Sequence, residues 1–203
     1  DRSKPTYVVT HGWRDGLDQI ESWVDLLDAL RALEDPADPA GQGPNVIFAD
    51  WSEKAKNLIY PIPAEDTFEV GGLLAQFLID IAIDPATTTL IGHSLGGQAS
   101  GIAADQYRIR KNDSSSIARV IALDPAGPFF EPTLGFPSKD PSERLNQGDA
   151  DRVVALHTTS ILGYEAALGD LDLYLNPDQP FQPGETSFIG SHSYAVTVFT
   201  QLL

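Results

Sequence analysis

The 203-residue chain has no cysteine and no methionine, and few cations. Without cysteine there is no disulfide scaffold, no thiolate zinc site and no thiol nucleophile. Only 13 Lys and Arg stand against 29 Asp and Glu, a formal net charge of −16. No basic stripe exists to neutralise phosphates, which argues against nucleic acid as a partner. The same field opposes anionic lipid surfaces. No run approaches the roughly 18 apolar residues of a membrane-spanning helix, so no transmembrane segment is expected. A basic-then-apolar leader is missing and the chain starts at Asp1, as expected of a mature or excised piece. What is present is a 42% apolar fraction, enough for a sizeable core. The length suits a single domain over residues 1–203.

The acid is mostly Asp, 20 against 9 Glu, scattered through expected loops. Asp favours turns, caps and hard cations over helix interiors. Apolar, β-branched runs predict strands at Thr6–Thr10, Asn45–Ala49, Thr87–Ile91, Ala118–Leu123, Arg152–Leu156 and Leu171–Leu175. Apolar periodicity predicts helices over Ile20–Leu33, Pro63–Ile83, Gln98–Arg110 and Tyr194–Leu203. Prolines and glycines make 34–44 a loop. Alternating strands and helices, with continuous apolar strands, argue an α/β fold: a mostly parallel sheet covered on both faces. The turn-rich stretches 129–151 and 176–191 are long, and such loops in compact domains are usually functional.

Gly92-His93-Ser94-Leu95-Gly96 matches G-x-S-x-G between an expected strand and an expected helix, the context a nucleophile elbow requires. A serine on so sharp a turn stands clear of the sheet at a helix N-terminus, where N–H groups favour a developing oxyanion. A Gly-rich turn with an accidental serine is the competing reading. The triad order of such folds is serine, acid, histidine. Of four histidines, His11 and His93 precede Ser94, leaving His157 and His192. His192, in an expected Gly/Ser-rich loop before the last helix, suits a base that swings over the elbow; His157, at a strand end, reads as a packing residue. Asp124 ends a strand and precedes Pro125, so its carboxylate belongs at the same sheet edge as Ser94. Asp149, Asp151, Asp170 and Asp172 are its rivals, and each also reads as a cap, turn or cation ligand. The first strand ends in His11-Gly12-Trp13, so the Trp13 and Leu95 N–H groups are the expected oxyanion hole. Phe129, Phe130, Leu162 and Tyr164 lie in loops expected to face the site, with Phe181 and Phe188 in the segment before His192. An apolar cleft of this kind suits an acyl chain, although some of these aromatics also read as core.

The pieces TYVVTHGW, FADW, IGHSLGGQASG, ALDPAGPFF, RLNQGDADRVVALHT, LDLYLNP and SHSYA, in this order, resemble the pancreatic-type triglyceride lipase and phospholipase A1 family. The resemblance covers nearly the whole chain. It implies the α/β-hydrolase fold, a Ser94–Asp124–His192 triad, and Trp13 and Leu95 as oxyanion amides. It also implies a structural calcium in the loop before the fifth strand. Asn146 and Asp149 would be the side-chain ligands there, with backbone oxygens of Pro141 and Arg144. Asn stands where the family has Asp, and one anionic ligand fewer weakens such a site; a hydrogen-bonded Asx-rich loop is the competing reading. The chain departs from the family in three ways: no disulfides, a short lid at 176–191, and no C-terminal β-sandwich. The first strands of the sheet are also expected to be truncated or absent. A short lid implies phospholipase-like or esterase-like behaviour with peripheral contact at lipid interfaces. Set against a disulfide-rich secreted family, the missing cysteines point to a secreted, bacterial-type member.

The chemistry expected is therefore hydrolysis of lipid or short acyl esters through an acyl-enzyme, with no cofactor required. Two alternatives stay open: a non-catalytic lipase-like binding or storage protein, and an acyltransferase or thioesterase with the same triad.

Overall fold

A computed structural model describes residues 1–2, 4–33, 43–132 and 138–203. The loop expected at 34–44 is described only at 43 and 44, and residues 133–137 of the turn-rich stretch also lie outside the described residues. In chain order the elements are β1 (Thr6–Thr10), α1 (Val24–Arg31), β2 (Asn45–Ala49), α2 (Ser52–Ala55), α3 (Pro61–Asp80), β3 (Thr88–His93), α4 (Leu95–Lys111), β4 (Arg119–Leu123), β5 (Val153–His157), β6 (Leu171–Tyr174) and α5 (Phe188–Leu202). The strands form one sheet in the order β2-β1-β3-β4-β5-β6, and every pairing is parallel.

Side chains alternate across each strand, so one sheet feeds two cores. Val8, Leu90, Val120, Ala122, Val153 and Ala155 pack on one face with residues of α3 and α4. Val9, Ile91, Leu123 and Leu156 pack on the other with Leu26, Leu27 and Leu30 of α1 and Ala195 of α5. Both faces are thereby buried, which is why these strands read as unbroken apolar runs. Among the described residues, no helix is long and apolar enough to cross a membrane.

Register aligns the carboxyl ends of the strands. Thr10 pairs with Gly92, His93 with Leu123, Leu123 with Leu156, and His157 with Tyr174. Ser94 and Asp124 each follow one residue of the His93–Leu123 pair. They therefore leave the sheet side by side.

Two expected helices differ from those observed. The period over 20–33 resolves into a 3₁₀ turn at Leu17–Ser22 followed by α1. The Trp23 N–H closes the 3₁₀ turn on the Ile20 carbonyl, and its indole N–H is held at 2.9 Å by Asp15. The last helix starts at Phe188 rather than Tyr194, because the Ser187 hydroxyl accepts the Gly190 N–H at 3.0 Å and caps it. His192 therefore sits on a helix and not in a loop.

Candidate active site

The elbow forms because three glycines let backbone approach where a side chain would collide. A methyl group on Gly92 would stand 2.1 Å from the Gly96 carbonyl oxygen, and one on Gly96 would stand 2.2 Å from that of Thr10. A methyl on Gly12 would come within 2.9 Å of Ser94 Cβ and 3.4 Å of its Oγ. These contacts lock the start of α4 against the end of β1. Ser94 takes φ 57° and ψ −125°, a strained conformation for a residue with a side chain. Its N–H donates to the Leu123 carbonyl at 3.1 Å, and its own carbonyl accepts the Gly97 and Ala126 N–H groups. Buried Gln98 adds a brace: its Nε2 donates to Ala126 O at 2.7 Å and its Oε1 accepts the Leu145 N–H.

Leu95 is the first residue of α4, so its N–H has no acceptor within the helix. The Trp13 N–H has no hydrogen-bond partner among the described residues either. Two side chains orient the Gly12–Trp13 peptide. His11 Nδ1–H donates to Gly12 O at 2.9 Å, and the Trp13 indole N–H donates to Asn57 O at 2.7 Å. His11 is in turn stacked between Phe48 and Trp51, and the Trp51 indole N–H holds the His11 carbonyl at 2.7 Å.

Asp124 is fully buried and accepts a hydrogen bond from His192 Nδ1 at 2.5 Å. Its Oδ1 takes the N–H groups of Thr158 (2.6 Å) and Thr159 (3.1 Å), and its Oδ2 takes the Thr159 hydroxyl at 2.9 Å. Burial alone would push this carboxyl up. The bond and charge of His192, with the two N–H donors, outweigh it and hold the group below the usual carboxylate range.

The base is fixed from behind. His93 Nε2–H donates to the His192 carbonyl at 3.1 Å, and the two rings lie 4.6 Å apart. Burial first, and the His192 charge second, push His93 down to about 3. His93 is thus a neutral donor at working pH, and it couples the residue before Ser94 to the helix that carries His192. Among the described residues the His192 ring is bonded to Asp124 and makes no hydrogen bond to the Ser94 hydroxyl. Serine and imidazole pairs in free enzymes are often loose and tighten with substrate.

The rival acids have other partners. Asp172 pairs with His157 Nε2 at 2.7 Å and caps the Leu168 and Gly169 N–H groups. Asp170 holds the Val153 N–H and the Gln147 amide. His157 Nδ1 is taken by Tyr164 O, so this histidine packs.

The expected substrate aromatics separate. Phe130 is fully buried in the core that α3 and α4 cover, a correction to its expected role; hydrophobicity alone cannot tell a pocket wall from core. Phe129 packs partly buried on the same core, and Leu162 is half-buried. Tyr164 and Phe188 line a cavity, and Phe188 contacts Phe181 at 5.2 Å.

The residues of the implied calcium site have partners of their own. Asp149 is the one carboxyl of the set, and its Oδ2 already accepts the Asn146 N–H at 2.7 Å. Asn146 spends its amide N–H on Gln147 O. Burial, aided by Asp105 and opposed by the Asn146 N–H, Arg108 and Arg144, pushes Asp149 up to about 8. Pro141 lies in a 3₁₀ turn and Arg144 just after it. Calcium takes six to eight oxygens, several of them charged, in most sites. The side chains of the set thus offer such a cage one carboxyl and one amide. Among the described residues, no group of three or more His, Cys, Asp or Glu is placed to hold a metal.

A family model described as Lipase matches residues 1–199. "Phospholipase A1" of Vespula squamosa is 33% identical over 214 residues, covering 99% of this chain and 66% of that protein. "Lipoprotein lipase" of Sus scrofa is 36% identical over 194 residues, covering 91% of this chain and 37% of that protein. The chain thus spans less than two thirds of the length of these relatives. Among solved structures, the RedJ thioesterase of Streptomyces coelicolor superposes with a TM-score of 0.56 at 11% identity, covering 100% of this chain and 88% of that one. An esterase of Thermogutta terrifontis does so at 0.52 and 14%, covering 98% and 82%. At those identities the likeness concerns the fold alone, an α/β-hydrolase sheet.

Proposed function

The chain belongs to the lipase family, and from that premise we propose that it hydrolyses carboxylic esters of lipids at Ser94. The observation that carries this reading is the buried Asp124–His192 pair, bonded at 2.5 Å at the sheet edge where the strained Ser94 turn emerges. Ser94 Oγ attacks the ester carbonyl while His192 Nε2 takes its proton. The Trp13 and Leu95 N–H groups hold the oxyanion. Collapse breaks the bond to the alcohol oxygen, which leaves with the proton from His192. Water then attacks the acyl-enzyme through the same base, releasing the fatty acid and restoring Ser94. Asp124 keeps the imidazole in the Nδ1–H tautomer and stabilises the imidazolium.

The relatives' printed names favour phospholipid or triglyceride acyl esters as substrate. Exposed apolar side chains support peripheral contact with a lipid surface. Leu58 and Ile59 stand out beside Asn57, which holds Trp13, and Ile189 stands out beside Phe188 at the start of α5. Such a surface would be neutral or zwitterionic, given the charge of −16. The resemblance to a secreted family favours a place outside the cell.

The test is a panel of zwitterionic phospholipid vesicles, triglyceride emulsion and soluble p-nitrophenyl butyrate, scored by acid released. At least one lipid ester is expected to be cleaved, with a single fluorophosphonate adduct on Ser94. No cleavage and no adduct would return the chain to the binding-protein alternative. We further propose that no calcium is needed. Chelation with EDTA is expected to leave both rate and Tm unchanged, and a fall of several degrees would restore the metal.

A further inference from the structure

We propose that a cavity beside the acid and base is a subsite for the alcohol half of the ester, selective for a quaternary ammonium group. This rests on the ester-hydrolase reading and deepens it. The cavity is about 440 Å³, within the range of small-molecule sites. It opens between the loop 158–165, the strap 174–180 and Phe188.

Its position assigns it to the alcohol. Thr158 and Thr159 wall it, and the same residues donate their N–H groups to Asp124. Phe188 lies one turn before His192 on α5. The oxyanion donors Trp13 and Leu95 come instead from the β1 and α4 side. The imidazole must hand its proton to the departing oxygen, so the alcohol leaves on the imidazole's side.

Its walls are built rather than loose. Gln182 is 3% exposed, and its Nε2 donates to Thr158 O at 2.8 Å and Leu175 O at 2.7 Å. Its Oε1 accepts the Asn176 amide at 2.8 Å, and its N–H is held by the Ser191 hydroxyl at 3.0 Å. The strap is thereby tied both to the acid's loop and to α5.

Its chemistry points to a cation without hydrogen-bond donors. No Lys or Arg lines it, and Glu165 is an exposed carboxylate in its wall. His157 is paired with Asp172, so together they add no net positive charge. Two aromatic rings stay accessible: Tyr174, 43% exposed with one face stacked on His157 at 4.3 Å, and Phe188, 41% exposed. The Tyr164 ring already has the Arg144 guanidinium 5.4 Å from its centre and is not counted among them. Aromatic faces with a nearby carboxylate suit a trimethylammonium group. An anionic head would meet Glu165 with no compensating cation.

The experiment compares octanoylcholine with its uncharged isostere 3,3-dimethylbutyl octanoate, which share the acyl chain and the alcohol's shape. The kcat/KM ratio is expected to favour choline by roughly 10-fold. Glu165→Gln and Tyr174→Leu are each expected to move that ratio toward one; Glu165 is exposed, so its variant should keep the fold. Vesicles of phosphatidylcholine and of phosphatidylethanolamine, with matched chains, ask whether the group is carried on a lipid. A choline preference confined to vesicles, or to the soluble ester, supports the subsite and identifies its source. A ratio near one in the unmodified protein, with both esters cleaved and phosphatidylcholine vesicles hydrolysed no faster than phosphatidylethanolamine ones, overturns the subsite and leaves the hydrolase reading intact. If no ester is cleaved, both readings fall.

Discussion

Ser94→Ala is expected to lower ester turnover on the order of 10⁶-fold, leaving only the residual catalysis of oxyanion donors and binding. The hydroxyl is the atom that forms the acyl bond; Thr159 and Ser160 sit on the acid's side, where the Thr159 hydroxyl is committed to Asp124 and the neighbouring His157 to Asp172 and Tyr164 O. Stability should hardly change. Alanine meets the same strained φ of 57° at this position, and the Ser94 backbone bonds to Leu123, Gly97 and Ala126 do not involve the hydroxyl. Initial rates and mass spectrometry after fluorophosphonate treatment decide it. Retained turnover, or an adduct elsewhere in the chain, would remove Ser94 from the mechanism.

Asp124→Asn should cost about 10³- to 10⁴-fold in kcat, because it reverses a donor and an acceptor in a closed site. The Asp124 Oδ1 accepts two backbone N–H groups, so an asparagine would place its carbonyl oxygen there. Its NH₂ would then face His192 Nδ1 and the Thr159 hydroxyl, both of which now donate to Oδ2. The imidazole would have to present Nδ1 as an acceptor and carry its proton on Nε2, the wrong tautomer for accepting from Ser94. KM should move far less than kcat, since no substrate group touches Asp124. A kcat within tenfold of the parent would show that another acid serves the base. The same carboxylate links stability to pH. Its folded pKa lies below the ordinary 3.8, so its contribution is present above that value and is lost as pH falls through the folded pKa. The Asn variant should therefore show a shallower loss of Tm on acidification.

The parts of the site that were legible before the fold was known are those with local causes. G-x-S-x-G stood out because each flanking glycine answers to a contact with the next turn or the next strand, 2.1 Å at Gly92 and 2.2 Å at Gly96. Asp124 stood out because a buried apolar run ended at Asp-Pro. His192 followed from chain order, but its setting did not: Gly190 and Ser191 look like loop residues, and only the Ser187 cap turns them into the first turn of α5. His93, Thr159 and Gln182 carry no sequence signal that marks them as parts of the site. Their partners, His192, Asp124 and Thr158, lie 99, 35 and 24 residues away, and no local pattern announces such pairs.

By itself, then, the sequence determined the strand and helix alternation, the serine on its turn, the acid at a strand end, and the absence of a thiol nucleophile from these 203 residues. Those features depend on residue type, period and neighbours a few positions away. Only the tertiary structure decided which aromatics are core and which face a cavity, as Phe130 and Phe188 show. It also decided that His93 steadies the base. The reason is physical: burial, electrostatic shift and cavity shape are set by segments far apart in the chain, brought together by parallel strands in register.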